Sequence, residues 1–326
     1  MKAAVFGAGA IGGMLGGALV EGGAETTLIA RGPHLAAMRE RGLRVVTATG
    51  ERTVRPACTD DAAKTGPQDV VIVATKAQAA AAEVDALTPL LGPATAVVYA
   101  VNGVPWWYFH GLDGPLAGRR LATVDPGGRQ WDVIGPARAI GCVVHPAAEV
   151  VEPGVIRVVA GDRFVLGEPD GTMSERARAV ARVLVKGGLK APLRPDIRTE
   201  IWVKLWGNVA FNPISALTRA TMGALVEDTR AAALIRAVMA EAAAVAAALG
   251  VAMPIALEAR LDGARKVGEH RTSMLQDLER GRSMEIDALV AAVAELGDLT
   301  GVATPMIDAV YALVRRLAIE AGCYQG

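Results

Sequence analysis

The strongest constraint on the fold of this chain is a six-residue loop near its start, Gly7-Ala8-Gly9-Ala10-Ile11-Gly12. A short apolar run at residues 3–6 leads into it, and a helical pattern at residues 11–21 leads out of it. Glycines in a GxGxxG spacing permit a tight turn, let a pyrophosphate approach the backbone, and let the following helix pack closely on its strand. The phosphates then rest on the helix N-terminus, where unpaired N–H groups and the helix dipole favour negative charge. The spacing by itself is a weak signal; the strand before it and the helix after it supply the context that the mechanics require. Gly7, Ala8, Gly9, Ala10, Ile11 and Gly12 are therefore expected to bind a dinucleotide. The second apolar run ends Leu28-Ile29-Ala30-Arg31-Gly32. An acid at that strand tip would bond the ribose hydroxyls of NAD, whereas an arginine accommodates the 2′-phosphate of NADP. Arg31, with no competing acid at the tip, favours NADP.

Further apolar runs at residues 26–30, 70–75 and 95–100 alternate with helical patterns at residues 33–41 and 77–91. Strands alternating with helices imply parallel βαβ units. Residues 43–47 and 52–56 read as a small hairpin inserted in that series, and residues 111–136, rich in Gly, Pro and Arg, as a surface excursion. Residues 140–145, 155–160 and 163–166 are the last strand candidates, followed by a helix at 172–186. After Ile197 the chain turns to long alanine- and leucine-rich helical patterns at 223–249, 254–280, 284–299 and 305–321. Gly250, Gly281 and Gly301 sit at the expected stops, and Pro254 and Pro305 at expected starts. The expected fold class is α/β. A Rossmann-type doubly wound sheet occupies residues 1–192, and an all-α substrate or dimerisation domain occupies residues 193–326.

A length of 326 residues suits two domains. Lys plus Arg balance Asp plus Glu, 34 against 34, so no basic surplus asks for a nucleic-acid partner. Cys58, Cys142 and Cys323 form no CxxC pair and no metal-ligand spacing with the histidines, so no metal site and a reducing, cytoplasmic location are expected. The glycine loop begins at residue 7, which leaves no room for a signal peptide. Residues 231–253 are apolar but carry Arg236 and Glu241, so a buried helix is expected there rather than a membrane span.

The segment Lys204-Leu205-Trp206-Gly207-Asn208-Val209-Ala210-Phe211-Asn212-Pro213 places Lys204, Asn208 and Asn212 four residues apart. On a helix these three share one face, beside an apolar stripe of Ile201, Leu205 and Val209. Asparagine is a poor helix-interior residue unless it has a partner, so two on one face with a lysine suggest a polar pocket; a solvated face is the alternative.

These pieces resemble, in matching order and over nearly the whole chain, the ketopantoate reductase family. The glycine loop and Arg31 match its cofactor end, and Lys76 in Thr75-Lys76-Ala77 and Asn102 in Val101-Asn102-Gly103 match two polar positions of its cleft. Lys204, Asn208 and Asn212 match its K-x3-N-x3-N-P helix. Ser273-Met274-Leu275-Gln276-Asp277, with Glu285-Ile286-Asp287 following, matches its S-M-x-x-D…E-I-D signature. The resemblance implies an NADPH-dependent reduction of a 2-oxo acid to a 2-hydroxy acid, by default 2-dehydropantoate to pantoate in pantothenate biosynthesis. It makes Lys204 the general acid and assigns Asn208, Asn212 and Ser273 to the substrate oxygens. Lys76, Asn102 and Glu285 would orient the nicotinamide end and the lysine, and the backbone near Ala147 would lie by the cofactor. A cytoplasmic homodimer is part of the same expectation.

Met222 and Val290 stand where relatives often carry amides, and a run of aromatics, Trp106-Trp107-Tyr108-Phe109, follows Asn102. Four successive aromatics cannot all point inward on one helix or strand, so at least one is expected to face a cleft or a partner. A bulkier 2-oxo acid, or related carbonyl compound, is therefore an alternative substrate. A non-catalytic NADP-binding sensor is a further alternative, which retention of Lys204 and its amides disfavours.

Overall fold

In the computed structural model, which describes residues 1–324, the chain forms two compact units. The first comprises residues 1–101, 105–120 and 125–197; the second takes residues 102–104, 121–124 and 198 onward.

The first unit opens β1 (Lys2–Phe6), α1 (Ala10–Glu21), β2 (Glu25–Ile29) and α2 (Gly32–Arg41). The hairpin β3 (Leu43–Thr47) and β4 (Gly50–Val54) follows, then β5 (Ala57–Thr59), β6 (Gln68–Val73), α3 (Ala77–Ala82), α4 (Val84–Leu87) and β7 (Leu91–Tyr99). It continues through α5 (Arg129–Val133), β8 (Ala139–Val144), β9 (Ala147–Glu152), β10 (Val155–Ala160), β11 (Phe164–Gly167) and α6 (Glu175–Lys186). Seven strands form one sheet in the order β11-β8-β7-β6-β1-β2-β5, parallel from β8 to β5 and closed by antiparallel β11. The order reverses at β1, the switch point of a doubly wound sheet, which is where ligands of such sheets lie.

The expected hairpin pairs with β10 and β9 in a second sheet, ordered β4-β3-β10-β9. Helix α1 lies between the two sheets, and its glycines let both approach. A side chain at Gly16 would meet Leu28 of the large sheet, and one at Gly13 would meet Ile156 of the small one. The strand β9 went unpredicted because Ala147–Glu152 is only partly buried and lacks a clean alternation.

The helix expected at 77–91 is broken into α3, α4 and a 3₁₀ turn at Thr88–Leu90, where Pro89 ends the run. The aromatic expectation is also corrected. Trp106, Trp107, Tyr108 and Phe109 are all 2% exposed or less, so none faces a cleft or a partner. Consecutive tight turns replace regular structure here, with Tyr108 N–H donating to Pro105 and His110 N–H to Trp107. Turns change direction at every residue, which lets successive side chains enter one core. Trp106 stacks edge-on against Tyr99 and Trp131 there.

The second unit is helical: α7 (Ile197–Thr218), whose first residue still belongs to the first unit, α8 (Met222–Glu227), α9 (Thr229–Ala248), α10 (Leu257–Val267) and α11 (Ser273–Glu279). A π-helical turn at Asp287–Ala291, α12 (Ala292–Thr300) and α13 (Pro305–Glu320) complete it. Two expected long helices are each split. Asp228 breaks 223–249 by capping α9, its carboxylate accepting from Arg230 N–H and Ala231 N–H. Gly268 and the Thr272 cap break 254–280, and the Gly268 carbonyl accepts from Gly223 N–H at 2.8 Å. Helix α10 starts at Leu257 rather than at Pro254.

Helix α9 is long and apolar enough to cross a membrane. Here it packs against α8, α12 and α13, and the Glu241 carboxylate caps α13 by accepting from Met306 N–H and Ile307 N–H. One face of it is buried, through Ile235, Val238, Met239 and Val245, and the rest is partly or fully exposed.

Candidate active site

In the first unit the glycine loop turns as its sequence requires. Gly7 holds φ +90°, and a side chain at Gly12 would lie 2.2 Å from the Gly7 carbonyl, so the start of α1 is pressed onto the loop. At Gly9, the N-cap of α1, a side chain would meet nothing within 4 Å, so the backbone there is open. No side chain caps α1 and no acid sits in its first turn, which leaves its N–H groups suited to a pyrophosphate.

The loop has a support that went unnoticed in the sequence. His34 Nε2 donates to the Ala8 carbonyl at 3.0 Å, while its Nδ1 accepts from Gly154 N–H at 3.0 Å. The imidazole thereby ties the loop to the turn between β9 and β10, and the two bonds together require the neutral ring. Burial lowers the His34 pKa, partly offset by the Ala8 carbonyl. As pH falls below the ordinary imidazole value of about 6.5, the unfolded chain takes up the proton first and the contribution of this tie is progressively lost.

Arg31 is the N-cap of α2, 72% exposed, and pairs with Glu83 at 2.8 Å. Lys76 is the N-cap of α3, and Ala147 opens β9.

In the second unit, α7 runs unbroken through Lys204, Asn208 and Asn212 and past Pro213. Its apolar side buries Ile201, Trp202, Leu205 and Val209, and the Trp206 indole donates to the Met239 carbonyl of α9 at 2.7 Å. The polar face is not a solvated one: Lys204 and Asn208 are half-buried and Asn212 is 5% exposed. Lys204 Nζ donates to Asn102 Oδ1 at 2.5 Å, and Asn102 Nδ2 donates to Glu285 Oε2 at 3.0 Å. An ionised carboxylate only accepts, so it turns the Asn102 amide nitrogen toward itself and the carbonyl toward the ammonium. Ser273 is the exposed first residue of α11 in the same unit.

Glu285 precedes its helix rather than lying within it, and packing on both sides holds it there. Met284 N–H donates to the Cys323 carbonyl, and Asp287 accepts from Tyr311 at 3.2 Å and from Tyr324 at 3.0 Å. Burial pushes the Asp287 carboxyl up, against the two phenols and Arg315, which lower it. The π-turn begins at Asp287 and presents the Ala288 carbonyl to Val104 N–H at 2.9 Å. Gly103, with φ +93°, makes this approach possible, since a side chain there would lie 2.3 Å from the Ala288 carbonyl oxygen. Asn102 is thus delivered to Lys204 by the residue beside it. Single π-turns recur at functional sites for this reason, because they release a carbonyl from the helical ladder.

The chain is also similar to known proteins over nearly its whole length. The family described as ketopantoate reductase PanE/ApbA matches residues 3–171, and its C-terminal counterpart matches residues 196–318. This chain belongs to the ketopantoate reductase family. A relative named 2-dehydropantoate 2-reductase, from Mesorhizobium japonicum, is 56% identical over 99% of this chain and 100% of its own. One of the same name from Halobacterium salinarum is 30% identical, covering 97% of this chain and 98% of its own. The crystal structure of a candidate ketopantoate reductase from Ralstonia solanacearum superposes with a TM-score of 0.94 at 44% identity, over 99% of both chains. The ketopantoate reductase family has the α/β fold with a helical second part found here and comprises oxidoreductases that use NADPH.

Proposed function

We propose that this chain reduces 2-dehydropantoate to pantoate at the expense of NADPH, with Lys204 as the general acid. The hydrogen-bonded series Lys204–Asn102–Glu285 carries the reading, together with family membership. The loop at residues 7–12, Arg31, Lys76, Asn102, Glu285 and the backbone at Ala147 would hold NADPH, which supplies a hydride to the carbonyl carbon. Lys204 stabilises the developing alkoxide and passes its Nζ proton to that oxygen. Asn102 and Glu285 aim the ammonium. Asn208, Asn212 and Ser273 hold the carboxylate and remaining oxygens of the acid. The first unit is on this reading the NADP domain and the second the substrate domain; the boundary expected between residues 192 and 193 lies five residues before the end of the first unit at Ile197.

The alternative of a bulkier acid rested on Met222, Val290 and the aromatic run, and burial of the aromatics removes the last of these three supports. A sensor has no use for an aligned lysine. Oxidation of NADPH with a panel of 2-oxo acids tests the reading. A kcat/KM for 2-dehydropantoate below that for 2-oxoisovalerate would sink the substrate assignment, and no turnover of any 2-oxo acid would sink the chemistry. A cytoplasmic location is part of the same reading, on the scattered spacing of Cys58, Cys142 and Cys323. A homodimer is part of the same reading, and light scattering checks it.

Two substitutions separate phosphate reading from loop support. Arg31→Ala should weaken NADPH binding by about 1–3 kcal/mol, the range for a charge-assisted bond, and leave NADH nearly unchanged. The exposed Glu83 pair is worth about 0–1 kcal/mol and yields to a 2′-phosphate. His34→Ala should weaken both cofactors alike, by about 1–2 kcal/mol, through loss of two partly buried bonds. Equal losses in Arg31→Ala, or a selective one in His34→Ala, measured by fluorescence titration, would reverse these roles.

A further inference from the structure

Helix α10 carries two acids, and both are engaged by arginines other than Arg260. Glu258 binds Arg236 at 2.7 Å, and Asp262 pairs with Arg265. Arg260 sits between them in sequence and, among the described residues, has no acid and no side-chain acceptor. Its Nε is buried without a hydrogen-bond partner. The guanidinium instead lies against the backbone of α7 at Gly207, where an added Cβ would stand 2.4 Å from one terminal nitrogen and 3.0 Å from Nε. Gly207 is three residues after Lys204, so the two share a side of α7. A residue of any other type at 207 would push the guanidinium away.

We propose that Arg260 is the anchor for the carboxylate of the 2-oxo acid, seated over Gly207 on the Lys204 side of α7. The inference rests on the reduction of a 2-oxo acid proposed above and adds a residue to it. A guanidinium offers a planar pair of donors that matches a carboxylate bidentately, which neither an amide nor a hydroxyl does. Held one side of the lysine, the carboxylate leaves the adjacent carbonyl oxygen for Lys204 Nζ. Burial pulls the Arg260 pKa down with no acid to offset it, so a ligand anion would relieve a desolvated charge. The competing account is an alkyl stem that packs on α7 while the head reaches water, which requires no ligand.

Calorimetric titration of pantoate, and of its neutral lactone, into the enzyme–NADP⁺ complex separates the two accounts without relying on turnover. Arg260→Met keeps the stem and removes the charge. It should weaken pantoate binding on the order of 10²-fold, as loss of a desolvated charged hydrogen-bond pair does. Lactone binding should change by less than about 3-fold, because the lactone carries no carboxylate for the charge-assisted bond. Gly207→Ala, which leaves the arginine in place but displaces its head, should weaken pantoate in the same selective way. Steady-state assay should show the corresponding rise in KM for 2-dehydropantoate with kcat affected less. Pantoate binding that survives in both variants, or pantoate and lactone falling together, overturns the proposal while the proposed reduction stands. Wild-type enzyme that neither binds pantoate nor turns over 2-dehydropantoate overturns both.

Discussion

Lys204→Ala is expected to lower kcat by about 10²–10⁴-fold, the contribution of a positioned general acid. Folding and NADPH binding should be unchanged, because the buried side of α7 is formed by Ile201, Trp202, Leu205 and Val209 and not by the lysine. The limb of the pH–rate profile on which the ammonium loses its proton should disappear. Lys204→Arg should not restore the rate: guanidinium stabilises charge but hardly releases a proton, and its fork does not fit the Asn102 carbonyl as an ammonium does. Parallel melting curves and NADPH titrations exclude a folding defect. A kcat within about threefold of wild type, well inside the range expected of a general acid, would remove Lys204 from the chemistry and leave Lys76 as the candidate.

Gly103→Ala should be nearly as damaging, although residue 103 need not touch substrate. The position holds φ +93°, which costs an alanine roughly 1–3 kcal/mol. Its Cβ would also meet the Ala288 oxygen at 2.3 Å and carbon at 2.6 Å, both backbone atoms that cannot rotate away. The segment 102–104 must then retreat from the π-turn, and Asn102 moves with it. A displacement near 1 Å at a positioning group costs on the order of 10²-fold in rate, so kcat should fall by about that factor, with a melting temperature lowered as well. Asn102→Ala provides the comparison, since it removes the amide and spares the backbone. If Gly103→Ala loses stability but keeps its kcat while Asn102→Ala does not, the π-turn is a packing feature and does not position the amide.

Features encoded over a few residues were legible. The glycine loop between strand and helix and the arginine after β2 stand where local pattern put them, and the hairpin expected at 43–47 and 52–56 has its second strand two residues earlier, at 50–54, because turns and periodicities are set by neighbours in sequence. The lysine and asparagines of α7 share a face for the same reason. Roles for Lys76, Asn102 and Glu285 came from family resemblance and not from spacing, since nothing local marks them. The aromatic run misled because pattern rules assume regular structure, and a succession of turns obeys neither period.

The sequence by itself thus determined most of the order of strands and helices, though not β5, β9 or α5, together with the dinucleotide loop and the polar face of α7, all of which depend on contacts within about one turn or one strand. Tertiary structure decided where the long helical patterns break, that four successive aromatics are all buried, and that His34 braces the loop from 26 residues away. It also brought Asn102 to Lys204 across 102 residues and to Glu285 across 183, and set Arg260 over a glycine of another helix. Such pairings are fixed by which surfaces bury together. Burial is a property of the packed chain as a whole, and no window of sequence contains it.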